Sequence, residues 1–301
     1  MSSLPSDPGE QSVFKEENMI DAEELADKRR RAMWLLVLFF CFAADVQDGL
    51  GPFLDVRLQH LGWSPESIGW ALTIPAAVGL AVSPFLGALC DRVPYKRGLL
   101  AAACIVVLAA SLTAMAGVPL PVVLAQIVTG AACAAFAPAG TSLILGLAHG
   151  TPVSTLFGRT EAGKHAGTCL AAALAALIGF FGLGGLGTET AFWVMFAFGC
   201  VSLAMLAGIP AGLIDNQAAR GLAHEGDRAE SVRGLLTDPA LFRLGLMLFF
   251  FHLGNAAMLP LLGQGAVARF GIPNSASLFT HLENARSRCV VQNPKKPRNL
   301  F

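Results

Sequence analysis

Two carboxylates lie in the first long apolar stretch of the sequence, where a charged side chain is costly. Asp45 and Asp48 are three residues apart, so on a helix they share one face. At about 1.5 Å per residue they lie about 18–22 Å beyond Met33, past the middle of a bilayer core. Neighbouring carboxylates suit the binding and release of a proton or a cation, and we expect such a site here. Alternatively, residues 48–52 (DGLGP) mark a broken outer end of the helix, with Asp48 in the headgroup layer.

A second candidate site lies in the segment GRTEAGKH, residues 158–165. Glu161 and His165 are four residues apart and face the same way on a helix, with Arg159 and Lys164 as available partners. A carboxylate beside a histidine at the mouth of a cavity suits a proton relay near neutral pH. The alternative is the solvated start of a helix.

The last apolar stretch carries His252 and Asn255, three residues apart. A weak internal repeat links this stretch to the first one, because residues 38–40 (LFF) are echoed by residues 248–250 (LFF). The repeat places His252 and Asn255 opposite the level of Asp45, at the centre of a two-fold cavity of the kind in which transporters bind substrate. A hydrogen-bonded packing histidine is the alternative.

The elements that carry these groups are predicted to be membrane helices. The 301-residue chain is 54% apolar and only 14% charged, whereas a soluble domain carries about 25% charged residues. This composition excludes a soluble enzyme, a disulfide-rich secreted domain and a nucleic-acid-binding protein. Seven apolar stretches are long enough to cross a bilayer, and they predict an all-α polytopic membrane protein. They cover residues 33–53, 68–89, 99–118, 122–145, 166–186, 191–213 and 244–262.

The basic residues are concentrated on alternate polar segments. The segments before the first span and after the second, fourth and sixth spans hold five, three, two and four bases. The intervening segments up to the seventh span hold one, Arg57. This distribution predicts a cytoplasmic N-terminus in a plasma (cell inner) membrane. The predicted organisation is a disordered cytoplasmic tail (1–32), a six-helix bundle (33–213), a cytoplasmic linker (214–243), a seventh helix (244–262) and a polar, basic tail of doubtful structure (263–301).

The loop between the second and third spans carries the most specific pattern. Residues 87–97 read GALCDRVPYKR, which resembles the major facilitator superfamily signature G-x-L-(A/G)-D-R-x-x-(R/K)-(R/K) and lies where that family carries it. We expect Gly87 to permit close helix contact and Asp91 to cap a helix end. In that family the cluster latches two halves of the protein in one of its alternating states. The candidate gating residues are therefore Gly87, Asp91, Arg92, Lys96 and Arg97.

The resemblance covers about residues 33–274 and implies a secondary transporter with twelve helices in two halves. The sequence departs from the family in three respects. Gln126 stands four residues before Gly130, where the family often has Arg, so a fixed positive charge is absent and Gln126 is a neutral candidate of the cavity. The fifth span lacks the proline of many antiporters. The chain has seven predicted spans, which correspond to the N-terminal half and the first helix of the second half.

The leading functional hypothesis is a secondary active transporter of a small solute that works by alternating access and is coupled to protons. The alternative is a truncated, non-transporting membrane protein that acts as a scaffold, a regulator or a degradation substrate. It is suggested by residues 280–301, which carry five bases on the side predicted to be outside. A half-length chain is also expected to self-associate, because its cavity face would lack a facing wall. Protons, a solute and the lipid bilayer are the expected partners; no cofactor, metal, nucleic acid or enzymatic activity is expected.

Overall fold

The computed structural model describes residues 8–47, 51–148, 151–180, 189–220 and 237–256. These residues form α-helices and short 3-10 turns without any strand, which confirms the predicted all-α class. The described α-helices are α1 (Pro8–Gln47), α2 (Gly51–His60), α3 (Pro65–Arg92), α4 (Lys96–Ala114), α5 (Pro119–Cys133), α6 (Phe136–Leu147), α7 (Val153–Phe180), α8 (Thr190–Ala207) and α9 (Pro239–Ala256).

Helix α1 begins earlier than the sequence analysis expects. The segment predicted to be a disordered tail is helical from Pro8 onward. Ion pairs at helical spacing favour this extension, since Lys28 Nζ lies 2.7 Å from Glu24 and an Arg30 nitrogen lies 3.6 Å from Asp27. The polar first part of α1 therefore continues directly into its apolar part.

Two predicted spans are each covered by two described helices. The first predicted span and the residues after it fall on α1, which is described up to Gln47, and on α2, which is described from Gly51; residues 48–50 lie outside the described residues, so the alternative of a broken outer end stays a prediction. The fourth is divided into α5 and α6. Pro138 explains this division, because it has no N–H to donate and its ring crowds the carbonyl four residues earlier, that of Ala134.

The other helix boundaries differ from the predicted ones by up to several helical turns. Helix α7 begins at Val153, so Glu161 and His165 lie inside a helix instead of at its start. Helix α8 ends at Ala207 and is followed by Pro210 and a 3-10 turn, Ala211–Leu213. Helix α9 begins at Pro239, inside the segment predicted to be a linker. The predicted tail, residues 263–301, lies outside the described residues.

Within the described ranges, three helical segments are long and apolar enough to cross a membrane: α3, α4 and the combined α5–α6, Pro119–Leu147. Two shorter apolar helices, Phe192–Ala207 and Pro239–Phe251, belong to α8 and α9. Helix α1 lies at the centre of the bundle, where it packs against α7 and α8, while α3 packs on α5 and α4 packs on α5, α6 and α8. Every described side chain of α9 is exposed.

Candidate functional site

The crossing of α1 and α7 brings two helix backbones unusually close. Gly163 and Gly167, one turn apart on α7, face α1. A methyl group at Gly163 would lie 3.1 Å from the Val37 carbonyl oxygen, and one at Gly167 would overlap the Cys41 carbonyl oxygen. Small residues four apart are typical of close helix contacts in membranes.

Asp45 lies in the last turn of α1, inside the bundle. It is only 7% exposed, although it is an acidic residue within a predicted span. The next residue, Val46, has a carbonyl oxygen that accepts a hydrogen bond from the Cys133 thiol at 3.8 Å. This contact places the last turn of α1 against the end of α5, where the fourth span is interrupted. Asp48 lies outside the described residues, so the predicted pairing of the two carboxylates stays a prediction.

Gln126 has a specific structural partner on α3. Pro75 lies inside α3 and has no N–H, so the carbonyl of Ala71, four residues earlier, loses its normal helical donor. The Gln126 amide nitrogen donates to this Ala71 carbonyl at 3.4 Å, and Gln126 is 2% exposed. One turn later on α5, Gly130 lies so close to Pro75 that a Cβ would fall 2.6 Å from the Pro75 Cα. Gln126 therefore supplies the hydrogen bond that the proline removes.

Glu161 and His165 share one face of α7, as their four-residue spacing predicts. Both residues are exposed. Glu161 forms an ion pair with Lys164, whose nitrogen lies 2.5 Å away. The Lys164 ammonium also lies 5.6 Å from the centre of the Phe40 ring, and Arg159 lies 5.5 Å from the ring of Trp34. These cation–π contacts help to hold α7 on α1.

His252 and Asn255 lie in α9, but their side chains are outside the described residues. Their predicted position opposite Asp45 stays a prediction. In the described part of the chain, no group of three or more His, Cys, Asp or Glu residues is arranged to hold a metal ion.

One end of the bundle, which we name the inner end, contains the loop from α3 to α4. Lys96 is 1% exposed and donates to the Cys90 carbonyl at 2.8 Å. Arg97 donates to the carbonyl of Ile209, just after α8. A guanidinium nitrogen of Arg220 likewise donates to the Arg92 carbonyl oxygen at 3.4 Å. Three cations of the inner end thus bind carbonyls at or near the C-terminal ends of helices, where the helix dipole favours positive charge.

Two expectations for this loop differ from the structure. Among the described residues, no atom lies within 4 Å of the position that a Cβ of Gly87 would take, so Gly87 is not at a close contact with any described helix. Asp91 is exposed, and the residue at the N-cap of α4 is Tyr95, without a side-chain cap hydrogen bond. The reason is that α3 continues through Arg92, which keeps Asp91 in its last turn, away from the start of α4.

The opposite end, which we name the outer end, is held by residues that the sequence analysis does not select. Arg57 of α2 forms a 2.8 Å ion pair with Glu189, just before α8, and donates to the Met115 carbonyl at 3.3 Å. The Trp63 indole donates to the Gly117 carbonyl at 3.1 Å. The available signal was a single basic residue on the outer side and a single acid before the sixth span, but their pairing needs the folded chain.

Asp55 is the other functional candidate that the sequence analysis misses. It lies in α2, beyond the predicted first span, and is 0% exposed. Burial raises the pKa of Asp55 to about 7, while a hydrogen bond from the Val56 amide acts in the opposite direction. A residue beyond the end of a predicted span resembles an ordinary solvated acid, so sequence alone gives no sign of this burial.

Comparisons with known proteins agree with this architecture. The family model of the Major Facilitator Superfamily matches residues 26–280. Two uncharacterized MFS-type transporters from two strains of Mycobacterium tuberculosis are 34% identical over 228 residues, which cover 73% of this chain and 53% of theirs. The chain thus spans about half the length of these curated relatives. A crystal structure of a mutant nucleoside transporter NupG superposes with a TM-score of 0.60 and 16% identity, covering 89% of this chain and 67% of that one.

Proposed function

Because the chain belongs to the major facilitator superfamily, we propose that it carries the first half of a secondary active transporter that moves a small solute by alternating access, driven by protons. The observation that carries the coupling is Asp45, an acid that is 7% exposed inside the bundle. A buried carboxylate within a membrane protein is costly in its charged form, so its protonation state depends on its access to water. Alternating exposure to the two sides of the membrane would therefore couple proton binding to conformational change.

The packing supports a bundle that moves as one body, as alternating access requires. The α1–α7 crossing allows no space for a side chain at Gly167, and the α3–α5 crossing allows none at Gly130. The Gln126 hydrogen bond to Ala71 stabilises α3 where Pro75 interrupts its backbone hydrogen bonding. These contacts join α1 to α7 and α3 to α5, and α4 packs on α5, α8 and α1, so we expect rotation of the whole bundle instead of sliding within it.

We further propose that the inner end faces the cytoplasm of a plasma membrane. The bases that bind carbonyls there belong to segments predicted to be inside, whereas Arg57, the single outer base, is paired with Glu189. This charge asymmetry is the one that the positive-inside rule associates with the cytoplasmic side. Exposed Glu161 and His165 on α7 are the proposed second polar group on the solute and proton path.

Transport assays in proteoliposomes test the proposal. Because the chain spans about half the length of its relatives, the assay uses a chimera in which the C-terminal part of a Mycobacterium tuberculosis relative, beyond its match to this chain, follows α9. The chimera is reconstituted with a pH-sensitive dye inside, and a panel of small solutes is added under an inward proton gradient. A substrate should cause proton influx that Asp45→Asn abolishes, because the amide cannot cycle a proton. The matched control is Asp27→Asn, which changes an exposed acid in the polar part of α1. Proton influx that survives Asp45→Asn with a normal pH dependence would contradict coupling at this residue.

The 301-residue chain alone is the comparison for this chimera. The added part of the relative continues the second half beyond α9 and would supply a facing wall for the bundle. We expect solute uptake from the chimera and none from the 301-residue chain alone. Uptake by the chain alone would instead indicate a dimer of half-transporters, in which α9 or another exposed face meets a second copy. Cross-linking of the reconstituted chain would then show the dimer directly.

A further inference from the structure

Asp55 has an environment that a charged carboxylate does not tolerate. Its side chain is 0% exposed. The carboxylate accepts local backbone hydrogen bonds, from the adjacent Val56 N–H to Oδ1 at 2.6 Å and from the Asp55 N–H, and Oδ2 is buried with no hydrogen-bond partner among the described residues. Ionisation would leave a negative charge without compensation, which is strongly unfavourable. The neutral acid, with its proton on the carboxyl group, fits this position much better.

Each described charged group near Asp55 in the sequence either contacts another group or is exposed. Arg57, the nearest cation in sequence, is directed to Glu189 and to the Met115 carbonyl. His60 at the end of α2 and Glu66 at the start of α3, the helix on which α2 packs, are both exposed. Asp48 precedes α2 and lies outside the described residues. The burial that raises the pKa of Asp55 to about 7 is thus its dominant influence.

We propose that Asp55 is a proton-binding site that couples the packing of α2 on the bundle to the pH of the outer water. The carboxylate takes a proton from that water as α2 packs, which forms an O–H bond on the carboxyl group. It returns the proton to the same water when α2 moves away and the side chain is hydrated. The assignment of Asp55 to the outer side of the membrane rests on the proposed function. The link between protonation of Asp55 and packing of α2 does not.

The contacts of α2 show what such a movement would involve. Leu54 and Leu58, on the same helix as Asp55, are fully buried. Arg57 and Trp63 attach α2 and the following turn to the ends of α4 and α8. Unpacking therefore breaks a small set of identified contacts at one end of the bundle. Residues far from α2, including the inner-end loop, need not change.

Hydrogen exchange of the reconstituted full chain at several pH values tests the proposal. After correction for the intrinsic rate, protection of the α2 amides should fall about tenfold for each pH unit between about pH 4 and 7 and then level off. Asp55→Asn should remove this dependence, because it has no proton to lose. Glu66→Gln, which changes an exposed acid on the neighbouring helix, should retain it. A pH dependence that persists in Asp55→Asn, or that is absent from the unmodified protein, would overturn the proposal.

A second variant and a second measurement keep the result decisive. If Asp55→Asn does not fold, Asp55→Leu has a similar volume and should give the same flat profile. Infrared spectroscopy at pH 6 should show a protonated carboxyl band that both variants lack and that Asp45→Asn retains; a band unchanged in the Asp55 variants would refute the site. Neither measurement requires transport, so a failure here is distinguishable from a failure of the transport assays.

Discussion

The two ends of the bundle use basic side chains in different ways. At the inner end, Lys96, Arg97 and Arg220 donate to neutral backbone carbonyls. At the outer end, Arg57 is paired with the carboxylate of Glu189. Carbonyl partners leave the charge of a cation uncompensated, whereas a carboxylate neutralises it. Among the described residues, these three inner cations therefore bind uncharged partners, whereas Arg57 at the outer end is paired with a carboxylate.

This difference connects structure with membrane orientation. Cations at the ends of helices stabilise the exposed carbonyls and the helix dipole, and in the proposed orientation they lie on the cytoplasmic side, as the positive-inside rule favours. The same arrangement at the outer end would oppose that orientation. The Arg57–Glu189 pair shows how a basic residue can hold helices together without contributing a positive charge to its side of the membrane.

The largest expected effect concerns the side of the membrane on which each end of the bundle lies. In a variant without native cysteines, Ser231→Cys in the predicted cytoplasmic linker (214–243) should resist an impermeant thiol reagent added to intact cells. Leu61→Cys, which follows α2 and is 45% exposed, should react fully. Permeabilised cells should label both positions. Labelling of Ser231→Cys in intact cells would reverse the assignment of inner and outer ends.

The next effect concerns the pH dependence of stability, which should arise at the outer end. The folded pKa of Asp55, about 7, is above its unfolded value of 3.8. Below pH 4 both states are protonated and stability is full; as the pH rises from 4 to 7 only the unfolded state ionises, so stability falls. The loss is about 1.4 kcal/mol per pH unit, or about 4 kcal/mol in all. Detergent-denaturant titrations should show this loss in the unmodified protein and in Glu66→Gln, but not in Asp55→Asn.

A smaller effect is expected on the free energy of unfolding when one basic residue from each end is replaced. Arg57→Met should destabilise the protein by about 2 kcal/mol, because a half-buried Glu189 and the Met115 carbonyl both lose their donor. Lys96→Met should cost only about 1 kcal/mol, because the lost hydrogen bond to Cys90 is offset by removal of a buried charge. Unfolding free energies at pH 5 would measure both. Equal losses would mean that the two ends do not differ energetically.

The smallest effects come from single hydrogen bonds at each end. Trp63→Phe keeps the aromatic packing but removes the indole donor to Gly117, at an expected cost of about 1 kcal/mol. Arg220→Gln removes an exposed contact of 3.4 Å to Arg92 and should cost only about 0.3 kcal/mol. Thermal unfolding of the two variants under one condition would compare them. A larger loss for Arg220→Gln would show that the inner contact is stronger than its exposure suggests.

Much of the fold was predictable because lipid imposes a simple rule on sequence. A helix that crosses a bilayer needs about 20 apolar residues, so apolar length alone identifies α3, α4 and the α5–α6 pair. The close crossing at Gly163 and Gly167 was also visible from their spacing. The position of Pro138 predicts where a helix is interrupted but not whether the two parts separate, because that depends on neighbouring helices.

The candidate site was less predictable. Asp45 stands out in the sequence because an acid in an apolar stretch is rare. Gln126 also stands out, but the sequence gives no indication of its partner. That partner is the Ala71 carbonyl on another helix, which Pro75 leaves without a backbone donor. Glu161 and His165 share a face because they are four residues apart, yet only packing shows that this face is exposed.

The sequence by itself determined the membrane class, the family resemblance and the helical spacing of the polar pairs, since these depend on residue type and local period. Only the tertiary structure decided which polar groups meet, because Arg57 and Glu189 are 132 residues apart. It also decided that Asp55 is buried while Asp91 is exposed. The physical reason is that burial and desolvation depend on the atoms that surround a side chain, and those atoms come mostly from other helices.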